Sequence, residues 1–339
     1  MMPLDWARPL PECGRVDAAT FADTIVRQGQ PVVLRGQVAD WPAIAAANAG
    51  RESLARYIGQ FDQGAPVQVM VGRPEIAGRY FYDATVQDFN FHRRMVPLKV
   101  LLSELVRFAG DPAAPALYAG SAPTGQLLPG WSDANPLALT LPGAKARIWI
   151  GNETRISTHF DGSANLACVV GGRRRFLLFP PDQLANLYVG PLEQTMAGQP
   201  TSMVDPDAPD LDRYPRFATA MRHALVAELA PGDAIFMPTL WWHNVRAFGP
   251  LNVLVNYWAE DPTASSPFTA MIHAMLAVRD LPAAERAVWR GWFDHYVFDE
   301  SAGRVADHLP EAARGVLGAA SASRSQRIKH YLVAMLGGG

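Results

Sequence analysis

Residues 149–181 read WIGNETRISTHFDGSANLACVVGGRRRFLLFPP, a succession of short apolar runs broken by Gly, Asn and Asp. ARIWIGN, ANLACVVGG and RRFLLFPP each have the length and residue types of a strand bounded by turn-formers. Working outward, ALYAG lies upstream and ALVAEL, DAIFMP and LNVLVNYWAE lie downstream, all of the same texture. Many short strands with frequent turns predict a mainly β body, a sandwich or barrel of the β-helix kind, over about 116–260.

Inside this run His159 and Asp161 are two residues apart. On an extended strand both side chains leave the same face and can converge on one ion. A lone HxD is also a common polar pair on a strand, so a third group from elsewhere has to carry the reading. His243 fits, because PGDAIFMPTLWWHNV (231–245) supplies a turn, an apolar strand and then a histidine. Two imidazoles and a carboxylate make a facial triad that leaves positions for a chelating keto acid and O2, as in non-heme Fe(II) oxygenases; a closed structural zinc site needs a fourth protein ligand. His92, His223, His273, His295, His308 and His330 have no such neighbours and read as surface or core residues.

Before the β-rich region the chain is mixed. A helix is expected from the N-cap Asp17 to about Gln28, then a strand over Pro31–Arg35 ending at Gly36. PLKVLLSELVRFAG (97–110) puts Leu98, Leu101, Leu102, Leu105 and Val106 on one helical stripe, opened by Pro97 and stopped by Gly110. After Pro262 the alternation gives way to an Ala-, Leu- and Arg-rich helical segment with Trp289 and Trp292, and Gly337-Gly338-Gly339 reads as a loose end. The expected domains are 1–115, a lead-in packing on the barrel; 116–262, the barrel; and 263–339, the helical segment.

Composition narrows the partners. The 339 residues carry 32 acidic and 30 basic side chains, a formal charge of −2, so no global field gathers nucleic acid or anionic membrane. Cys13 and Cys168 form neither a disulfide framework nor a thiolate zinc site. The N-terminal MMPLDWARPLPECG lacks the basic start and apolar run of a signal peptide, and no run of about 18 apolar residues follows. A cytoplasmic, soluble protein is the expectation.

The residues quoted above, with LY at 187–188 and LNVLVNYW at 251–258, resemble the cupin-like Jumonji C hydroxylases, a group that includes the factor-inhibiting asparaginyl hydroxylase. PVVLRGQVADWPA (31–43) and YFYD (80–83) are similar to the family's N-terminal elements. The resemblance implies a double-stranded β-helix of the cupin or jelly-roll type, with Fe(II) as metal and 2-oxoglutarate and O2 as co-substrates. It implies His159, Asp161 and His243 as iron ligands, and Tyr118, Asn165 and Asn256 in the 2-oxoglutarate pocket. Arg174 falls where these enzymes usually place a lysine that binds the distal carboxylate. A buried dicarboxylate must meet a cation and hydrogen-bond donors, and arginine offers both. Alternation groups Arg174 with Phe176 and Leu178, and Arg173 and Arg175 with Leu177 and Phe179, without saying which set faces inward. Ile156 stands where relatives often carry a hydroxyl, so Thr154, Ser157 or Thr158 has to supply it.

The expected activity is hydroxylation of an amino acid side chain in a protein or peptide, with a small molecule or a tRNA base as the alternative acceptor. A cupin isomerase and a non-catalytic binding module are the rivals; the first usually carries HxH where this chain has HxD. The aromatic set Trp149, Trp241, Trp242, Tyr257 and Trp258 either lines the substrate cleft or packs the core. By the same resemblance, Trp289, Trp292, Phe293 and Leu332 either form a homodimer interface or cover the barrel.

Overall fold

The computed structural model describes residues 4–259 and 266–336. The chain divides into two compact units, Met1–Glu260 and Asp261–Gly339. The expected boundary at 262/263 and the closing Gly337–Gly339 lie outside the described residues.

Among the described residues the first unit carries thirteen strands: β1 Arg8–Pro9, β2 Glu12–Cys13, β3 Val32–Leu34, β4 Pro66–Gly72, β5 Arg79–Tyr80, β6 Phe91–Pro97, β7 Ala116–Pro123, β8 Lys145–Gly151, β9 Thr154–Phe160, β10 Asn165–Phe179, β11 Leu225–Leu229, β12 Ala234–Met237 and β13 Trp242–Trp258. β10 and β13 are long antiparallel partners, from Asn165 opposite Trp258 to Phe179 opposite Trp242. Each is shared between two sheets. The first half of β10 pairs with β12 and its second half with β11, while the second half of β13 pairs with β8 and its first half with β9. One sheet therefore runs β2-β3-β12-β10-β13-β8-β7-β4-β6, and the other β1-β11-β10-β13-β9-β5. This is the two-sheet jelly roll of a mainly β, cupin-like fold, with helices such as Pro42–Asn48, Arg51–Gly59 and Leu98–Arg107 flanking it.

The shared strands bend where the sequence suggested chain breaks. ANLACVVGG and RRFLLFPP are one continuous strand with register shifts on either side of Gly171, and WWHNV runs on through Gly249 into LNVLVNYW. Gly172 has φ +72, and a Cβ there would lie 2.0 Å from Oδ1 of Asn252, so only glycine passes the bend without displacing its neighbour. Asn252 also donates from Nδ2 to the Gly249 carbonyl at 2.7 Å, which sets the two bends side by side.

The bend changes which parity faces inward. Ala167 and Val169 precede it in the interior cluster, and Phe176 and Leu178 follow it there. An odd-numbered face becomes an even-numbered one, as expected of a bulge. Leu166, Cys168 and Val170 pack outward against the helix-covered core with Leu54, Ile58, Leu98, Leu101, Leu102 and Leu105. Leu177 and Phe179 pack outward against Leu187, Phe217 and Ala220.

Most local expectations match. Asp17 caps a helix by accepting the Thr20 N–H at 2.7 Å, although Phe21–Val26 is wound as a π-helix. Leu98, Leu101, Leu102 and Leu105 are buried on one helix face, with Val106 half-buried. Pro97 closes β6 rather than opening the helix.

The second unit contains the helices Pro267–Ala277, Ala283–Phe293 and Ala322–Leu336. Among its described residues only Ala306 is buried.

Candidate metal centre

Two strands and one turn bring the three groups together. His159 on β9 and His243 on β13 are directly paired residues, with ring centroids 4.3 Å apart. His243 stands at the start of β13, beyond the Pro238–Trp241 turn, rather than at the end of the DAIFM strand. Asp161 follows β9 immediately, and its carbonyl accepts the Leu240 N–H at 3.0 Å, which ties the turns carrying the two halves of the site. One ligand atom from each of His159, Asp161 and His243 lies within 4.8 Å of the others; among the described residues no other such group of His, Cys, Asp and Glu occurs. The six remaining histidines are exposed.

Both imidazoles are oriented by the backbone. Nδ1 of His159 lies 2.8 Å from the Ser157 carbonyl, and Nδ1 of His243 lies 3.0 Å from that of Trp241. A carbonyl only accepts, so each Nδ1 carries the proton and each Nε2 keeps a free lone pair. Burial, and then the neighbouring His243 ring, push the His159 pKa down to about 4, with Asp161 opposing. His159 is therefore neutral at pH 7, the form that ligates a metal. Asp161 Oδ2 accepts from Asn165 Nδ2 and from Trp258 Nε1, each at 2.9 Å, and lies 3.7 Å from His243 Nε2.

The cavity beside the triad is lined by Tyr118, Ser157, Asn165, Arg174 and Asn256, among others. Thr154 is buried at the far end of β9, outside that lining, and so is Thr158, whose carbonyl accepts the Ser202 N–H. Of the three hydroxyls near Ile156, Ser157 reaches the cavity. Of the aromatic set, Trp149 and Trp258 line it, whereas Trp241 and Trp242 belong to apolar clusters and Tyr257 packs against the helix-covered core.

The three arginines separate. Arg173 is exposed, Arg175 is buried on the outer face against Asp207, and Arg174 is 1% exposed and turned into the cavity. Arg174 interacts with the Tyr118 hydroxyl, and burial lowers its pKa. Burial likewise pushes the Tyr118 phenol up to about 12, against the pull of Arg174. Nε and Nη2 of Arg174 are buried without an acceptor. Buried donors of this kind are costly, so the cavity is matched to an anion with oxygens to offer. Lone-pair Nε2 atoms and a carboxylate suit a divalent transition metal, and the guanidinium suits a carboxylate. The residues present fit Fe(II) and a dicarboxylate.

Sequence reasoning missed the segment that forms one wall. Residues 189–203 fold back on themselves through the bridge between Val189 and Ser202, and Thr201 bridges to His159. Tyr82 donates to the Gln194 carbonyl and Arg93 Nη2 to that of Met196, each at 2.6 Å. Met196, Ala197, Gln199 and Thr201 thereby join the lining. Irregular backbone without periodicity left no signal for them.

A jelly roll with two imidazoles and a carboxylate turned to one interior point, beside a buried cation, has the architecture of a cupin with a candidate metal centre. The chain belongs to the cupin-like domain family, whose model matches residues 18–264; this cupin-like Jumonji C family consists generally of Fe(II)- and 2-oxoglutarate-dependent oxygenases. It is 37% identical over 122 residues to HSPB1-associated protein 1 of Homo sapiens, covering 35% of this chain and 24% of that protein. It is 37% identical over 111 residues to lysine-specific demethylase JMJ31 of Arabidopsis thaliana, covering 32% and 20%. It is 37% identical over 109 residues to tRNA wybutosine-synthesizing protein 5 of Danio rerio, covering 32% and 30%. The chain thus spans between a fifth and a third of the length of these relatives. No described helix is long and apolar enough to cross a membrane.

Proposed function

We propose that the chain is an Fe(II)- and 2-oxoglutarate-dependent dioxygenase that hydroxylates an amino acid side chain of a protein or peptide. The observation that carries this reading is the pairing of the triad with Arg174, whose Nε and Nη2 are buried without acceptors in the same cavity. His159, Asp161 and His243 hold the metal. Arg174 and Tyr118 take the distal carboxylate, in the role that relatives give to lysine. Ser157, Asn165 and Asn256 line the space between.

Iron with 2-oxoglutarate supplies the activation of O2, one oxygen leaving in succinate as CO2 is released and the other reaching the substrate. The chain's own residues bind, orient and exclude. Ile156, Phe176, Val245 and Leu254 give the cavity apolar walls that keep water from competing. The Nδ1 bonds of both histidines hold the rings in one tautomer. The 189–203 segment forms the wall against which a substrate side chain is placed.

A second reading, hydroxylation of a tRNA base, is favoured by the relative named for wybutosine synthesis. The formal charge of −2 supports the peptide reading, and a small-molecule acceptor stands behind both. The reading places the protein in the cytoplasm, with Cys13 and Cys168 as thiols, and as a homodimer through its C-terminal helices.

The test is anaerobic addition of Fe(II) and 2-oxoglutarate, which produces a metal-to-ligand charge-transfer band, followed by succinate release with candidate peptides and tRNA. Absence of the band, with succinate release unchanged in Asp161→Ala, refutes the assignment. Formaldehyde release from a methylated peptide identifies an N-methyl carbon as the site of attack.

A further inference from the structure

Of the three groups at the metal centre, Asp161 is the one outside a strand. Ladder hydrogen bonds fix the backbones of His159 and His243, and a carbonyl fixes each ring. The carboxylate needs another restraint, and a chain of side chains on neighbouring strands leads to it.

Trp149 Nε1 on β8 donates to Asn256 Oδ1 on β13 at 2.8 Å. Asn256 Nδ2 donates to Asn165 Oδ1 on β10 at 3.3 Å. Asn165 Nδ2 donates to Asp161 Oδ2 at 2.9 Å, where Trp258 Nε1 arrives at the same distance. An indole only donates and a carboxylate only accepts. Both ends of the chain are therefore fixed in direction, and both amides must point their oxygens toward Trp149 and their nitrogens toward Asp161. Turning either amide over would set N–H against N–H in a buried place, since Asn165 and Asn256 are 5% and 1% exposed.

The geometry points to a one-way hydrogen-bond relay, from Trp149 through Asn256 and Asn165 to Asp161 and joined there by Trp258, that positions the carboxylate of the metal site. This rests on the metal centre proposed above and deepens it. Trp149 and Trp258 are positioning residues, and the amide head groups of Asn165 and Asn256 are engaged with one another as well as lining the cavity. Both arriving donors land on Oδ2, so the rotation of the carboxylate is set and its two oxygens are made unequal. Loss of an outer partner of this kind commonly weakens metal binding tenfold to a hundredfold.

The experiment uses the full chain labelled with 15N at tryptophan and titrated with Zn(II), which is diamagnetic and needs no co-substrate. The Trp149→Phe and Trp258→Phe spectra identify the two indole N–H signals by their loss. In the wild-type chain both signals shift with the same zinc midpoint, and Asn256→Leu abolishes the response of Trp149 while leaving that of Trp258. Zinc affinity falls about tenfold in Trp258→Phe and about threefold in Trp149→Phe. A Trp149 signal that stays still while zinc binds overturns the relay, as do unchanged affinities in both variants. Should Trp149→Phe misfold, seen as a lost thermal transition, the wild-type titration with Asn256→Leu decides alone, the remaining indole signal near the site being assigned by difference. Failure of the wild-type chain to bind zinc at all sinks the metal centre itself, an outcome distinct from zinc binding without a response at Trp149.

Discussion

His159 and His243 stand directly opposite each other across β9 and β13, their rings tilted by 56°. Cross-strand partners lie about 5 Å apart at Cβ, so the sheet itself delivers two nitrogen donors at a spacing one metal ion can bridge. Asp161, two residues beyond His159, then needs only a turn to reach the same point.

Metal binding should therefore stabilise the fold. A divalent ion at about 100 times its Kd adds about 2.7 kcal/mol, and the melting temperature should rise by several degrees on adding Zn(II) and fall back with EDTA. Asp161→Ala and His243→Ala should abolish the rise. Differential scanning calorimetry with and without metal checks this, and an unchanged rise in either variant counts against the centre.

Arg174→Met should act in opposite directions on binding and on folding. Losing a charge-assisted pair to a carboxylate costs about 3 kcal/mol, so the KM for 2-oxoglutarate in a succinate assay should rise about a hundredfold, and less in Arg174→Lys. Without co-substrate the variant should melt no lower than wild type, because it removes a buried charge with two unmatched donors.

Gly172→Ala should disturb the site from a distance. Its positive φ costs a β-carbon-bearing residue about 1–3 kcal/mol, with the overlap on Asn252 added. The expected loss is at least about 2 kcal/mol in urea unfolding, together with weaker 2-oxoglutarate binding, because the bulge turns Arg174 inward. Loss of stability with unaltered binding would show that the bend does not set the face of Arg174.

Asp207 should govern acid stability on the outer face. Burial raises its pKa, but Arg175, Arg246 and Arg155 together outweigh burial and hold it below the usual carboxylate value. Arg246 is 3.0 Å away, and Arg175 pairs with it directly. A depressed folded pKa gives stability that is present above the unfolded value of about 4 and is lost as pH falls through the folded one. Asp207→Asn should thus be less stable by about 3 kcal/mol at pH 7, with the gap to wild type closing below pH 4 in denaturant titrations.

The C-terminal helices should hold two copies together. Trp292, Phe298 and Val333 are 54%, 73% and 72% exposed in the single chain, large apolar side chains of the kind that mark an association surface where they are contiguous. Light scattering should give twice the 36.9 kDa chain mass, reverting to one chain in Trp292→Glu with Val333→Glu. A monomer for the unaltered chain ends the idea.

The strand-forming runs and the HxD pair were legible because a period of two and β-rich composition are local signals. His243 was legible as a residue but not in its place, since Pro238 and the following turn separate it from the apolar strand before it. The glycines at 171–172 look like a terminus in sequence yet are a bend, because continuation depends on pairing with β13. For the same reason alternation divided the arginines into two sets without ranking them: the bulge reverses which parity is inside. Met196, Gln199 and Thr201 sit on irregular backbone held by Tyr82 and Arg93, more than a hundred residues away in sequence, and only tertiary contacts reveal them.

The 189–203 segment departs from the scaffold and returns to it at neighbouring points, Tyr188 and Met203 being joined by a 2.9 Å backbone hydrogen bond. Its tip, residues 191–200, can therefore be exchanged as a cassette, provided Thr201 and Ser202 keep their pairing with His159 and Thr158. A foreign insert there would reshape the wall that Met196 and Gln199 supply while leaving the paired strands intact, a division of labour that suits the protein to redesign.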